Sequence, residues 1–172
     1  VNITNFTVTG LTDIDGDGCN DAAEDSDDDN DGTSDSSDNC PVDANADQSN
    51  YDFDSLGDVC DPDDDNDGVD DDDDNCAQGA LQWTSSASND YDSDGCHDST
   101  EDNDDDNDGI QDGNDDCKTG ELNWISTSLT DRDTDGCKDY SNEDLDDNED
   151  GILDTADDCP RGDMGWTPSA ST

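Results

Sequence analysis

The chain has 172 residues, of which 55 are Asp or Glu and 4 are Lys or Arg, for a formal net charge of −51. Only 25% is hydrophobic and 5% aromatic, too little Leu, Ile, Val and Phe for the core that a globular domain of this length buries. So anionic a surface repels nucleic acid and anionic membranes, and no apolar run nears the roughly 20 residues that span a bilayer.

The first ten residues, VNITNFTVTG, carry no acid and are rich in β-branched side chains. They predict a short N-terminal β-strand within a segment 1–12. Such a strand needs a partner, either a preceding domain or a second copy of the chain by strand addition. Asn2-Ile-Thr and Asn5-Phe-Thr are N-glycosylation acceptor triplets. No signal peptide is present, and the chain starts at Val1; this fits a processed or excerpted extracellular protein.

From residue 13 onward the chain repeats itself. CAQGALQW (76–83), CKTGELNW (117–124) and CPRGDMGW (159–166) are versions of one unit, with tryptophans 41 and 42 residues apart. DDDNDG recurs at 27–32, 63–68 and 104–109, with DDNEDG at 146–151. The repeat is about 41 residues long. It divides the chain into calcium repeats at 13–49, 50–89, 90–130 and 131–159, followed by a C-terminal tryptophan segment, 160–172.

Within each copy the acids keep a register. Asp104, Asp106, Asp108, Gly109, Ile110, Asp112 and Asp115 are positions 1, 3, 5, 6, 7, 9 and 12 of a twelve-residue loop. That is the ligand spacing of a calcium loop. Carboxylates at 1, 3 and 5, the carbonyl of 7, position 9 directly or through water, and position 12 supply oxygens, while Gly at 6 permits a sharp turn. The same register fits Asp27, Asp29, Asp31, Thr33, Asp35 and Asp38. It fits Asp63, Asp65, Asp67, Val69, Asp71 and Asp74, and also Asp146, Asn148, Asp150, Ile152, Asp154 and Asp157.

A second loop precedes each of these. Asp13, Asp15, Asp17, Cys19, Asp21 and Glu24 form one, and Asp90, Asp92, Asp94, Cys96, Asp98 and Glu101 another. Asn50, Asp52, Asp54, Leu56, Asp58 and Asp61 form a third, in which Ser55 replaces the glycine. Asp131, Asp133, Asp135, Cys137 and Asp139 form a fourth; its position 12 is Asn142, and the acid, Glu143, comes one residue late. Eight loops in four pairs, seven with Gly at position 6, imply about eight bound Ca²⁺. Oxygen ligands without Cys thiolate or His favour Ca²⁺ over transition metals, and long multidentate loops suit Mg²⁺ less well. Eight such ions would bring the formal charge from −51 to −35.

EF-hands are excluded because the flanks DSSDNC, GNDDC and TADDC lack amphipathic helical periodicity. The expected fold is therefore irregular, with little regular secondary structure: tandem calcium loops stacked directly into an extended rod and stapled by disulfides. DNCPVDANADQSNYDFDSLGDVCDPDDDNDGVDDDDDNC (38–76) resembles a thrombospondin type 3 repeat, with its DNCP, its N and Q, its GD-x-C-D and its DDDNDG. The other copies keep DDDNDG but carry the tryptophan segment and DGC instead. The resemblance implies an extracellular, calcium-saturated, disulfide-stapled spacer or adhesion element with almost no helix or strand.

The eight cysteines stand at 19, 40, 60, 76, 96, 117, 137 and 159. Neighbour pairing leaves two schemes. One gives Cys40–Cys60, Cys76–Cys96 and Cys117–Cys137, with Cys19 and Cys159 left over. The other gives Cys19–Cys40, Cys60–Cys76, Cys96–Cys117 and Cys137–Cys159. The resemblance favours the first, whose leftovers suggest a bond between Cys159 of one chain and Cys19 of the next. That bond would complete a broken repeat and propagate head-to-tail into a filament.

Trp83, Trp124 and Trp166 read as packing plugs inside the disulfide loops, the alternative being a carbohydrate or partner platform. His97 reads as a solvated loop residue, and Lys118, Arg132, Lys138 and Arg161 as local charge relief. No nucleophile, base and acid form a catalytic set, and no core is available to make a dry pocket. The expectation is a non-enzymatic, extracellular structural protein: a calcium-rigidified spacer or filament subunit whose partners are copies of itself. An adhesion or glycan-binding module, or calcium storage and mineral nucleation, are the alternatives.

Overall fold

A computed structural model of the chain describes residues 13–165. Among them there is neither helix nor strand; the backbone is a succession of turns and bends. The N-terminal strand expected over 1–12 and Trp166 lie outside the described residues. The chain divides into two compact units, Val1–Thr84 and Ser85–Thr172. Each contains two of the four loop pairs.

With few apolar side chains to pack, backbone shape is set by aspartates that accept hydrogen bonds from the main chain around them. The loop 104–115 shows the frame. Asp104 Oδ2 accepts from Gly109 N–H at 3.1 Å, and Asp106 Oδ1 from Asp108 N–H at 3.3 Å. Asp108 Oδ1 accepts from Ile110 N–H at 2.7 Å, and Asp115 Oδ1 from Cys117 N–H at 2.6 Å. The Asp112 N–H closes the ring by donating to Asn103 O at 2.9 Å. The loops starting at Asp27, Asp63 and Asp146 repeat the contacts of positions 1, 5 and 12 with the same partners in register.

Two residues of each DDDNDG turn take left-handed backbone. Asn66 and Asn107, at position 4, have φ 59° and 57°. Gly68 and Gly109, at position 6, both have φ 97°. Asn visits this region more easily than other side-chain-bearing residues, and Gly without cost. The loop at 50–61 departs from this pattern. Phe53 occupies position 4 with φ 66°, and Ser55 at position 6 is not left-handed. A Cβ on Gly109 would meet only Ile125 Cγ2, at 3.9 Å, so the glycine is required by its φ and not by crowding. Gly109→Ala should therefore destabilise the second unit by about 1–2 kcal/mol. Thermal unfolding of the calcium-loaded chain checks this, and an unchanged midpoint would contradict it.

The interior is inverted relative to an ordinary domain. Asp67, Asp90, Asp108, Asp131 and Asp147 are fully buried. Among the described residues the buried hydrophobic ones are Cys40, Cys96, Trp124 and Cys137. Phe53, Leu129 and Tyr140 stand exposed at 83%, 77% and 73%. Burying so many carboxylate charges together is costly unless something compensates them, and bound cations would supply that compensation.

Disulfides hold the loops to the segments between them. Cys40–Cys60 and Cys117–Cys137 each close a separation of 20 residues, with Cα atoms 5.7 and 5.1 Å apart. Cys76 and Cys96 are also disulfide-bonded. Cys19 and Cys159 are free thiols. These bonds follow the first pairing scheme and exclude the second, since Cys40 takes Cys60 and Cys117 takes Cys137. A ring of this size is worth roughly 3 kcal/mol through constraint of the unfolded chain. Replacing Cys117 and Cys137 together by Ser should cost about that much, read as a lower urea midpoint at saturating calcium; an unshifted midpoint would refute it.

Candidate metal centres

The structure gathers each loop's acids into small groups. Carboxylate oxygens of Asp13, Asp15 and Asp17 lie within 4.8 Å of one another, as do those of Asp27, Asp29 and Asp31, and those of Asp52, Asp54 and Asp61. These are positions 1, 3 and 5 in the first two loops and positions 3, 5 and 12 in the third. In the later loops, Asp104 Oδ1, Asp108 Oδ2 and Asp115 Oδ2 are buried without a hydrogen-bond partner. Buried carboxylate oxygens are ordinarily satisfied. Unsatisfied ones, clustered and converging, are what a hard divalent cation needs. The set fits Ca²⁺: oxygen donors only, several per site, on a flexible loop.

The position-7 residues Cys19, Thr33, Leu56, Val69, Cys96, Ile110, Cys137 and Ile152 each donate their N–H to the position-5 carboxylate. That bond is 2.6 Å at Thr33 and Leu56 and 2.9 Å at Cys96 and Ile152. It fixes the peptide plane that precedes the carbonyl the sequence assigns as a ligand.

Position 9 finds different company. From the second loop onward its Oδ1 accepts the N–H of position 2: Asp28 to Asp35, Tyr51 to Asp58, Asp64 to Asp71, Tyr91 to Asp98, Asp105 to Asp112, Arg132 to Asp139 and Asp147 to Asp154. The position-9 acids then meet acids of the neighbouring loop. Asp21, Asp25 and Asp28 offer oxygens within 4.8 Å of one another. Asp21 Oδ1, Asp25 Oδ2 and Asp28 Oδ1 are buried and unpartnered, and so are Asp102 Oδ2 and Asp105 Oδ1 in the third pair. Each pair thus carries a second type of acidic cluster, between its loops. The spacing of one loop taken alone does not show it; the recurrent acid at position 2 of DDDNDG and the extra Asp after Glu24, Glu101 and Glu143 are its signal.

In the loop with the late acid, Glu143 Oε1 is buried and unpartnered, and Oε2 accepts the Glu121 N–H at 2.8 Å. The paired loops are also tied directly. Asn30 Nδ2 donates to Asp15 Oδ2 at 2.6 Å, and Asn66 and Asn107 donate to Asp52 and Asp92 in the same way. The last pair has Glu149 where the others have Asn, and its Asp133 Oδ1 is left buried without a partner.

Crowding and burial show in the acid strengths. Desolvation, then neighbouring carboxylates, push Asp106 and Asp115 up to about 6. Asp65 and Asp74 in the first unit are likewise raised to about 6, by burial first. Asp133 reaches about 7, by burial and then by the charges of Asp135 and Asp144. Asp31 goes the other way, lowered mainly by the N–H of Thr33. Burial and crowding thus raise the proton affinity of these acids toward neutral pH, and a bound cation would compete with those protons.

Between the loop pairs, position 2 of the first loop acts as a strut. Tyr51 Oη donates to Gly79 O at 2.8 Å, Tyr91 Oη to Gly120 O at 2.9 Å, and Arg132 Nη2 to Gly162 O at 3.0 Å. Trp124 is 8% exposed, with Lys138 Nζ 6.0 Å from its ring centroid. An indole that buried packs as a plug and offers no open face for a sugar. His97 accepts through its carbonyl and Nδ1 from the backbone just after it, as an ordinary turn residue does.

Residues 12–48 and 50–81 match the family model of the thrombospondin type 3 repeat. Over these two segments the chain is similar to thrombospondin type 3 repeats. Such repeats are structural calcium-binding modules of extracellular proteins. Disulfides fit an oxidising surrounding, and no described helix is long and apolar enough to cross a membrane. No curated protein matches the chain. Outside the matched residues, the loops starting at Asp104 and Asp146 repeat the position-1 and position-5 hydrogen bonds of the matched loop at Asp63.

Proposed function

We propose that the whole chain is a calcium-rigidified structural spacer of an extracellular protein, with the aspartate clusters in place of a hydrophobic core. The burial of converging, unpartnered carboxylates, with apolar side chains outside, carries this reading. Each of the eight loops holds one Ca²⁺ through positions 1, 3, 5 and 12 and the carbonyl of 7. Where they are free, the inter-loop clusters take further ions, and this accounts for acids in excess of the loop ligands. The spacer assembles head-to-tail through the free thiols Cys19 and Cys159, and repeats of this kind are suited to surface fibres or adhesive stalks.

Native mass spectrometry of the calcium-loaded chain tests the metal reading. At least eight tightly held calcium ions are expected, and fewer than four would refute it. Non-reducing electrophoresis tests the assembly. A ladder of disulfide-linked multimers that collapses with reductant is expected; a thiol-bearing monomer under oxidising conditions would exclude the Cys19–Cys159 link.

A further inference from the structure

The residue two places after the third cysteine type differs among the tryptophan copies: Gln78 in CAQG, Thr119 in CKTG and Arg161 in CPRG. Its place in the fold gives the difference meaning. In the first unit, Gln78 Nε2 reaches back to the preceding inter-loop cluster, donating to Asp64 Oδ2 at 2.8 Å and Asp58 Oδ2 at 3.3 Å. Arg161 makes the equivalent reach in the second unit. Its Nη2 lies 2.8 Å from Asp139 Oδ2, and the Asp139 side chain is 1% exposed. The guanidinium is held by Ser128 O, 3.1 Å from Nη2, and lies over the Tyr140 ring, 5.2 Å from its centroid.

Asp139 is the position-9 acid of the first loop in the last pair, and it lies close enough to Asp144, Asp147 and Asp154 for their charges to act on one another. Arg161 therefore brings a fixed positive charge to the same cluster that elsewhere presents acids alone or an uncharged amide. Arginine does not deprotonate under any ordinary condition, and here it is anchored through Nη2 on Asp139 and Ser128 and by its face on Tyr140. A divalent cation entering this cluster would face that charge at close range and would have to share or displace Asp139.

We infer that Arg161 is a built-in cation that replaces calcium at the inter-loop cluster of the last pair. That cluster stays closed by Arg161 and takes no ion, whereas its counterparts at Asp21, Asp25 and Asp28, at Asp58 and Asp64 beside Gln78, and at Asp98, Asp102 and Asp105 do. The inference rests on the calcium reading above and adds to it a specific inequality among otherwise repeated sites.

Two reciprocal variants test it by counting ions with native mass spectrometry in the intact chain. Arg161→Gln gives the last cluster the amide found in the first unit, and the count should rise by one. Gln78→Arg installs the clasp at Asp58 and Asp64, and the count should fall by one. A calcium-loaded wild type whose count changes in neither variant overturns this inference alone. A wild type that binds no calcium overturns both this inference and the proposed function. Should Arg161→Gln fail to fold, Gln78→Arg still decides: an unchanged count in that variant overturns the inference.

Discussion

Stripping calcium from the chain by chelation and desalting at neutral pH should abolish its ordered structure. Amide proton dispersion should collapse, susceptibility to protease should rise sharply, and readdition of calcium should restore both. The magnitude follows from linkage. One site occupied at a hundredfold excess over its Kd contributes about 2.7 kcal/mol, so the four loops of one unit contribute on the order of 10 kcal/mol. That equals the whole stability of a typical domain. Among the described residues little else could replace it, since the buried apolar ones are three half-cystines and Trp124. The disulfides would persist, so the metal-free chain is expected to be a set of tethered rings, more compact than a random coil. An unchanged amide spectrum after complete calcium removal would refute metal-dependent folding.

The pH dependence of the metal-free chain should run opposite to that of the calcium-loaded chain. Asp65, Asp106 and Asp115 are raised to about 6 and Asp147 to about 7, each by burial first. An unfolded Asp titrates near 3.9. The folded state therefore binds protons more tightly than the unfolded one. Its gain is complete below about pH 4 and is lost as pH rises through 6 to 7. For a buried group a two-unit shift corresponds to roughly 3 kcal/mol at most. Asp31 opposes the trend, being lowered by the N–H groups it accepts. The metal-free chain should thus regain order between pH 7 and pH 5. The loaded chain, whose ions compete with the same protons, should lose calcium in that window. Circular dichroism and amide dispersion at pH 4.5 and 7.5, with and without calcium, check both arms. A metal-free chain more ordered at pH 7.5 than at 4.5 would contradict the first.

Much of this was legible in the sequence because the signal repeats. Asp at positions 1, 3 and 5 and Gly at 6 recur often enough to set a register, and the type 3 likeness of 38–76 selected the observed pairings Cys40–Cys60 and Cys117–Cys137. The absence of helix among the described residues was readable from flanks without 3.6-residue periodicity. What escaped was whatever depends on two loops at once. Single-loop spacing does not bring Asp21, Asp25 and Asp28 together, although their oxygens lie within 4.8 Å of one another across two loops. Tyr51 and Gly79 lie 28 residues apart, and no local pattern announces that a phenol and a carbonyl will meet. Arg161 read as diffuse charge relief, and only the fold shows that it has one address, Asp139.

The cysteines sit inside the acidic loops, at position 7 in Cys96 and Cys137 and just beyond position 12 in Cys40 and Cys117. Oxidation and metal loading therefore act on the same few peptides, and neither goes to completion easily without the other. Order in this chain is the logical product of two environmental inputs. A polypeptide of this kind stays pliable wherever thiols are kept reduced or calcium is scarce, and it sets only where both conditions reverse together. Rigidity in such a chain would follow its surroundings, slack where thiols are reduced and calcium is scarce and set where neither holds.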